Sequence, residues 1–112
     1  MTGIYIHVPF CKRKCPYCDF YSVCRPDLYE DYTQAVCRNI EAFKGRDIKC
    51  DTIYFGGGTP SVLSAEQVDR IIDTAGKCFA LCQPEITLEA NPSSVDREKM
   101  SGWRKAGVTR LS

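Results

Sequence analysis

Several features that would place a protein in a broad class are missing from this 112-residue sequence. No apolar run approaches the ~20 residues that a membrane-spanning helix needs. Acidic and basic residues nearly cancel at a formal net charge of +1, and no basic stripe is visible, so nucleic acid is not an expected partner. The first residues, MTGIYIH, lack the basic start and cleavage site of a signal peptide. What remains is a chain with 44% apolar residues, enough for the core of one domain.

Cysteine, by contrast, is abundant, with eight residues. A disulfide scaffold is one interpretation, but such frameworks belong to secreted, loop-rich chains, and this sequence alternates helical and strand patterns. Buried cysteine also behaves as a small apolar residue. We therefore interpret five of the eight as structural thiols: Cys24, Cys37, Cys50, Cys78 and Cys82.

The other three cysteines, Cys11, Cys15 and Cys18, have the spacing C-x3-C-x2-C and follow a short apolar strand. Three thiolates can hold three of the four irons of a cubane iron–sulfur cluster, which leaves the fourth iron open to a ligand. A structural zinc knuckle is the alternative, but no fourth ligand stands at a normal spacing. The triplet therefore predicts a reactive metal centre.

The hydrophobic pattern predicts alternating strands and helices. Strands are expected at residues 3–8, 51–55 and 85–90, with a fourth beginning at 108–112. Helices are expected at 27–44, ending at Gly45, then after Ser64 with Gln67 completing a capping box, and at about 95–105, ending at Gly107. This order predicts an α/β fold with a parallel sheet. Because a complete eight-stranded barrel takes ~250 residues, we expect residues 1–112 to form the N-terminal part of a larger barrel.

Each sequence motif falls where a strand is expected to end. The cysteines follow the first strand, Gly56-Gly-Gly-Thr-Pro-Ser61 follows the second, and Glu89-Ala-Asn-Pro92 closes the third. Ligands of parallel α/β proteins gather at the carboxyl ends of the strands, so one shared site is expected there.

The glycine stretch lets the backbone approach a ligand and leaves amides and carbonyls free to meet it. A phosphate-binding loop is a poor alternative because the lysine of such loops is missing, and a plain tight turn remains open. Glu89 has the chemistry to bond a pair of ribose hydroxyls, and the alternative is an exposed acid at a strand end.

Four segments together resemble one known family: Ile4-Tyr-Ile-His-Val-Pro-Phe-Cys11, Cys15-Pro-Tyr-Cys-Asp-Phe20, Phe55-Gly-Gly-Gly-Thr-Pro-Ser61 and Glu89-Ala-Asn-Pro92. They are similar to the start of the radical S-adenosylmethionine (radical SAM) proteins related to oxygen-independent coproporphyrinogen III oxidase. That group includes the heme chaperones called HemW. The resemblance extends over nearly the whole chain, and the motifs keep their order.

The resemblance implies that Cys11, Cys15 and Cys18 ligate a [4Fe–4S] cluster whose open iron chelates S-adenosylmethionine. Reduction of the sulfonium then yields methionine and a 5′-deoxyadenosyl radical. Gly57, Gly58 and Thr59 would meet the methionyl part of this cofactor, and Glu89 would bond its ribose. Such a cluster is lost in air, so we expect a cytoplasmic, reducing location.

The resemblance further implies that Tyr5 lies near the cofactor and that Tyr17 contacts the adenine, although aromatic residues beside strands are commonly part of the core. His7, the single histidine, shares a strand face with Tyr5 and is expected to point toward the site, unless it is a satisfied core residue. The basic residues beside the cluster ligands, Lys12, Arg13 and Lys14, would offset thiolate charge or dock an electron donor such as flavodoxin or ferredoxin; a solvated loop is the alternative.

Two functions remain open. One is a heme chaperone that keeps the radical SAM core, and the other is an oxidase that decarboxylates the propionates of coproporphyrinogen III. Heme or a porphyrinogen is the expected partner in either case. In the oxidase, a further cysteine usually stands two residues after the third, and this sequence has Phe20 there. That departure favours the chaperone.

Overall fold

The computed structural model describes residues 2–10, 25–91 and 95–112 of the chain. Within these residues, strands and helices alternate along the sequence. They are β1 (Thr2–Val8), α1 (Tyr29–Glu41), β2 (Lys49–Gly57), α2 (Ala65–Cys78), β3 (Ala80–Leu88), α3 (Arg97–Ala106) and β4 (Arg110–Leu111). Short 3-10 turns precede α1 at Pro26–Leu28 and α2 at Pro60–Val62.

The strands form one parallel sheet in the order β1-β2-β3-β4, which confirms the predicted α/β class. Its register places Ile6 beside Phe55 and Phe55 beside Leu88. All three side chains are buried under the helices. Because successive strand residues alternate between faces, this apolar row fixes which residues point to the opposite face.

Helix α2 begins with the capping box that the sequence predicts. Ser64 Oγ accepts a hydrogen bond from the Gln67 N–H (3.1 Å), and Gln67 Oε1 accepts one from the Ser64 N–H (3.0 Å). These two bonds satisfy backbone donors that a helix start leaves unpaired. The buried face is the expected one, made of Val68, Ile71, Ile72 and Ala75. Helix α3 stops at Gly107, also as predicted.

Helix α1 is shorter than the predicted range of 27–44. Pro26 begins a 3-10 turn rather than the helix itself, and α1 ends at Glu41, before the predicted stop at Gly45. Residues 42–45 form a tightened turn in which Phe43 bonds the carbonyl of Ile40. The Phe43 ring also packs on Phe79, with centroids 5.7 Å apart. That contact explains why Phe43 keeps helical spacing although the backbone has left the helix.

Three strands are longer than predicted, β1 by one residue at its start. β2 extends past 51–55 at both ends, and β3 starts at Ala80 instead of residue 85. The register explains the earlier start of β3, because Cys50 pairs with Leu81 while Thr52 pairs with Glu85. The extra residues of β3 bulge out between these pairs, and Gln83 there has a φ of 44°. Such a bulge looks like a turn in the sequence.

The sheet face opposite the helices is polar and aromatic. Tyr5 pairs with Tyr54, and Tyr54 pairs with Thr87, so these side chains form a row next to the buried one. Tyr5 is 60% exposed. No helix in the described residues has the length and apolar character needed to cross a membrane.

Candidate functional site

The residues that follow β1, β2 and β3 are hydrogen-bonded to one another. The Gly58 N–H donates to the Val8 carbonyl (2.9 Å), which ties the glycine stretch to the end of β1. The Glu89 N–H donates to the Phe55 carbonyl (3.0 Å), which ties the end of β3 to β2. The structure therefore brings the glycine stretch and the Glu89 segment together with the end of β1 at the carboxyl edge of the sheet, where ligands of such folds bind.

An open hollow of about 480 Å³ lies at this edge. It is lined by Gly58, Thr59, Pro60, Glu89, Ala90, Asn91 and Ser112. Its size falls within the range of small-molecule sites, which is roughly 300–1,000 Å³. The lining includes three of the six residues predicted to bind the cofactor: Gly58, Thr59 and Glu89.

The carboxylate of Glu89 is the charged group of this hollow. Its Oε1 accepts a hydrogen bond from the Gly57 N–H (3.1 Å), and its Oε2 accepts one from the Tyr54 hydroxyl (2.7 Å). The bond from the phenol to the carboxylate raises the pKa of Tyr54 above its ordinary value, because ionising the phenol would remove the donor. Glu89 is therefore more than an exposed acid at a strand end, because two specific hydrogen bonds hold its carboxylate.

Gly57 adopts a backbone conformation that favours glycine. Its φ is 110°, and a Cβ there would lie 2.8 Å from the Val8 carbonyl oxygen and 2.8 Å from His7 Cε1. The sequence therefore has glycine for close packing of backbone against backbone and of backbone against an imidazole ring.

The expectation that the amides of this stretch are free is wrong. The Gly57 N–H is bonded to Glu89, the Gly58 N–H to Val8, and the Thr59 N–H to the carbonyl of Phe10. These amides hold the strand ends together instead of facing a ligand. Contacts of this segment with a ligand would therefore use carbonyls, Cα atoms or the Thr59 hydroxyl.

Tyr5 and His7 lie on the polar face, as strand alternation predicts. Tyr5 Oη and His7 Nδ1 are 3.4 Å apart, and the Tyr5 ring stacks on Tyr54 with centroids 6.0 Å apart and planes at 15°. His7 is exposed and beside Gly57, so it is not a satisfied core histidine. Both side chains are thus within reach of the glycine stretch.

The cluster ligands predicted from the sequence lie outside the described residues. These ligands are Cys11, Cys15 and Cys18. Six other residues discussed above lie outside the described residues as well: Lys12, Arg13, Lys14, Tyr17, Phe20 and Cys24. Phe10 is the last described residue before Cys11. Its buried ring packs on Tyr29 (centroids 4.8 Å apart) and edge-on to Tyr32 (5.3 Å). These aromatic contacts hold the residue that directly precedes Cys11 in the sequence. Outside that segment, the described residues contain no group of three or more His, Cys, Asp or Glu side chains arranged for a metal ion.

Four of the five cysteines interpreted as structural are in the described part, and all four are free thiols. Cys50 and Cys78 are buried, which fits a packing role. Burial raises the pKa of the Cys50 thiol, whose Sγ lies 3.1 Å from the Thr52 carbonyl. A thiol in that state is a poor nucleophile and a poor metal ligand.

Two residues of this region were not singled out from the sequence. Tyr54 was assigned only to a strand, and Ser61 only to the glycine-rich motif. For Tyr54 a signal existed, because alternation places it on the face opposite Ile53 and Phe55. For Ser61 none existed, since its hydroxyl partner is the distant Asn91 N–H (3.1 Å).

Comparison with known proteins agrees with this architecture. The family model of the radical SAM superfamily matches residues 5–112. The chain therefore belongs to the radical SAM superfamily, which confirms the family expected from the sequence motifs.

Several individual proteins of known name are similar to nearly the whole chain. The chain is 39% identical to the heme chaperone HemW of Escherichia coli K12 over 98% of its length, and 38% identical to heme chaperone HemW of Bacillus subtilis over 100%. It is also 36% identical to an anaerobilin synthase of Escherichia coli O157:H7 over 97%.

A solved structure, that of coproporphyrinogen III oxidase (HemN) from Escherichia coli, described as a radical SAM enzyme, is similar to 97% of the chain. The TM-score is 0.83 and the sequence identity 26%. The chain spans only 30% and 31% of the two HemW sequences, and 26% of the HemN chain. The shared region is thus less than a third of each relative's length.

Proposed function

We propose that this chain is the first part of the S-adenosylmethionine-binding core of a HemW-type protein, a heme chaperone. The observation that carries the proposal is the meeting of the glycine stretch, the Glu89 segment and the end of β1 at one sheet edge, where Glu89 lines a hollow. The similarity to HemW relatives over 98% or more of the chain supports the chaperone assignment.

In this proposal Cys11, Cys15 and Cys18 hold a [4Fe–4S] cluster. The sequence supplies three thiolates, the donor type that such clusters require. β1 ends at Val8, three positions before Cys11, and the Val8 carbonyl is bonded to Gly58, which lines the hollow. When bound, the cluster and S-adenosylmethionine together supply one-electron reductive cleavage of a carbon–sulfur bond. The chain itself would position these two groups, form the hollow around them and supply the charge beside them.

The described residues fit the cofactor. An ionised carboxylate has about four acceptor sites, and Glu89 uses one on each oxygen, so two remain for a vicinal pair of ribose hydroxyls. Gly58 and Thr59 line the same hollow and would meet the methionyl part. Gly57 contributes indirectly by holding Glu89, while Tyr5 would flank the ligand and Tyr17 would contact the adenine.

Heme is the proposed cargo, and an electron donor such as flavodoxin or ferredoxin is the proposed partner of the basic segment at Lys12, Arg13 and Lys14. The second candidate function is oxidation of coproporphyrinogen III, which the similarity to the HemN structure favours. Phe20, at the position where the oxidases usually carry a further cysteine, argues against it.

Anaerobic assay of the complete protein separates the two functions. The protein is reconstituted with iron and sulfide, and one sample receives heme while another receives coproporphyrinogen III, S-adenosylmethionine and a reductant. A stoichiometric Soret band that survives gel filtration, without porphyrin product in the second sample, is the expected result. Decarboxylated product formed in step with 5′-deoxyadenosine would establish the oxidase instead.

A further inference from the structure

Tyr54 occupies a position from which it controls the carboxylate that the proposed function assigns to ribose binding. It lies in β2, two residues before Gly56, and its side chain crosses to the neighbouring strand end. Its hydroxyl is 2.7 Å from Glu89 Oε2, the usual distance of an O–H···O hydrogen bond.

The carboxylate is held at both oxygens and from two directions. The Gly57 N–H fixes Oε1 at 3.1 Å, and the Tyr54 phenol fixes Oε2. The terminal torsion of glutamate is broad and roughly two-fold, so a single bond would leave the plane of the carboxylate free to turn. With both bonds present, the remaining lone pairs keep one direction.

The phenol is itself fixed by its surroundings. Its ring stacks on Tyr5 at 6.0 Å between centroids. Gly56 makes room for both rings, because a Cβ there would lie 2.9 Å from Tyr54 Cε1 and 2.8 Å from the Tyr5 hydroxyl. A side chain at Gly56 would displace the stack, so this glycine leaves room for the aromatic pair within the strand.

From this geometry we infer that Tyr54 is a positioning residue, which holds the Glu89 carboxylate in the orientation that receives the ribose hydroxyls of S-adenosylmethionine. It acts through Glu89 and does not touch the ligand. The inference rests on the proposed function, since it assigns Tyr54 a role in that same site.

A double-mutant cycle tests this relationship. The complete, cluster-reconstituted protein is compared as wild type, Tyr54→Phe, Glu89→Gln and the double variant, and S-adenosylmethionine affinity is measured anaerobically by calorimetry. We expect Tyr54→Phe to weaken binding about fivefold, the magnitude of one ordinary hydrogen bond. In the Glu89→Gln background the same change should have a much smaller effect, because the carboxylate that Tyr54 orients is replaced by an amide.

Iron content and the urea midpoint of each variant are measured alongside, so a loss of binding through unfolding is recognised. If Tyr54→Phe weakens binding equally in both backgrounds, or leaves it unchanged in the first, the positioning role is refuted while the ribose role of Glu89 stands. If Glu89→Gln itself leaves affinity unchanged, the ribose assignment in the proposed function is wrong, and the inference fails with it.

Discussion

The hydroxyl of Ser61 accepts a hydrogen bond from the backbone N–H of Asn91 at 3.1 Å, which joins the loop after β2 to the loop after β3. The Ser61 carbonyl in turn accepts a bond from Lys99 Nζ at 3.0 Å. Ser61 is fully buried, so the serine at the end of the glycine-rich motif connects both loops to α3.

Replacing Ser61 with Ala should lower the free energy of unfolding by about 1 kcal/mol, since a part-buried hydrogen bond between the two loops is lost. Urea denaturation of the complete protein measures this. Ser101→Ala is the matched control, because Ser101 is exposed on α3 and its loss should cost no more than about 0.5 kcal/mol. Equal effects of the two substitutions would contradict a specific role for Ser61.

Replacing Gly57 with Ala should be more damaging than replacing Gly45 with Ala. Both glycines have positive φ, 110° and 88°, so both variants carry backbone strain. A Cβ at Gly45 meets nothing within 4 Å, whereas one at Gly57 meets the Val8 carbonyl at 2.8 Å. We expect a further loss of about 1–3 kcal/mol for Gly57→Ala in urea denaturation, caused by this overpacking. Similar midpoints for both variants would show that the loop relaxes freely.

The stability of the protein should fall at alkaline pH, in part through Tyr32. Burial, with a smaller contribution from Tyr5, raises the pKa of the Tyr32 phenol above its usual range, and the phenol donates to the His7 carbonyl. Because the folded pKa exceeds the unfolded value of about 10, the stabilisation is complete below about pH 10 and is lost as the pH rises above it.

Tyr32→Phe should therefore reduce the decline in unfolding free energy between about pH 9 and pH 11. The variant is also expected to be about 1 kcal/mol less stable at neutral pH, where it lacks the bond to His7. Denaturation curves of both proteins at about pH 9 and pH 11 provide the comparison. A decline in unfolding free energy as steep in the variant as in the wild type would count against this source of alkaline sensitivity.

Cys15→Ala should abolish the broad iron–sulfur absorbance of the reconstituted protein, because two thiolates cannot keep a cubane cluster in place. Cys82→Ala is the control, since Cys82 is a free thiol on β3, outside the predicted ligand set. Iron and sulfide analysis accompanies the spectra. Retention of both in Cys15→Ala, or their loss in Cys82→Ala, would show that the ligand set is misassigned.

Much of the fold could be predicted because local signals and burial agree. The capping box at Ser64, the stop at Gly107 and the apolar face of α2 follow from side-chain chemistry within a few residues. Errors occurred where long-range pairing decides. β3 begins at Ala80 because it pairs with Lys49, and the following bulge, with Gln83 and Pro84, has turn-like composition.

The juxtaposition of residues at the strand ends could be predicted for a similar reason. Alternation and topology put Tyr5, His7 and Glu89 at one edge of a parallel sheet. The link from Tyr54 to Glu89 joins residues 35 positions apart, so it depends on the register between β2 and β3, which no local pattern contains. The amides of Gly57 and Gly58 were expected to be free for the same reason, since their acceptors lie on other segments.

Two adjacent residues of strand β2 lie on opposite faces of the sheet. Phe55 is fully buried under the helices, and Tyr54 is on the other side. A slip of one position would exchange these two faces. The packing around Phe55 therefore also determines where Tyr54 holds the Glu89 carboxylate. Substitutions beneath the helices that loosen this strand should alter affinity at a distance, even where no group near the ligand has been changed.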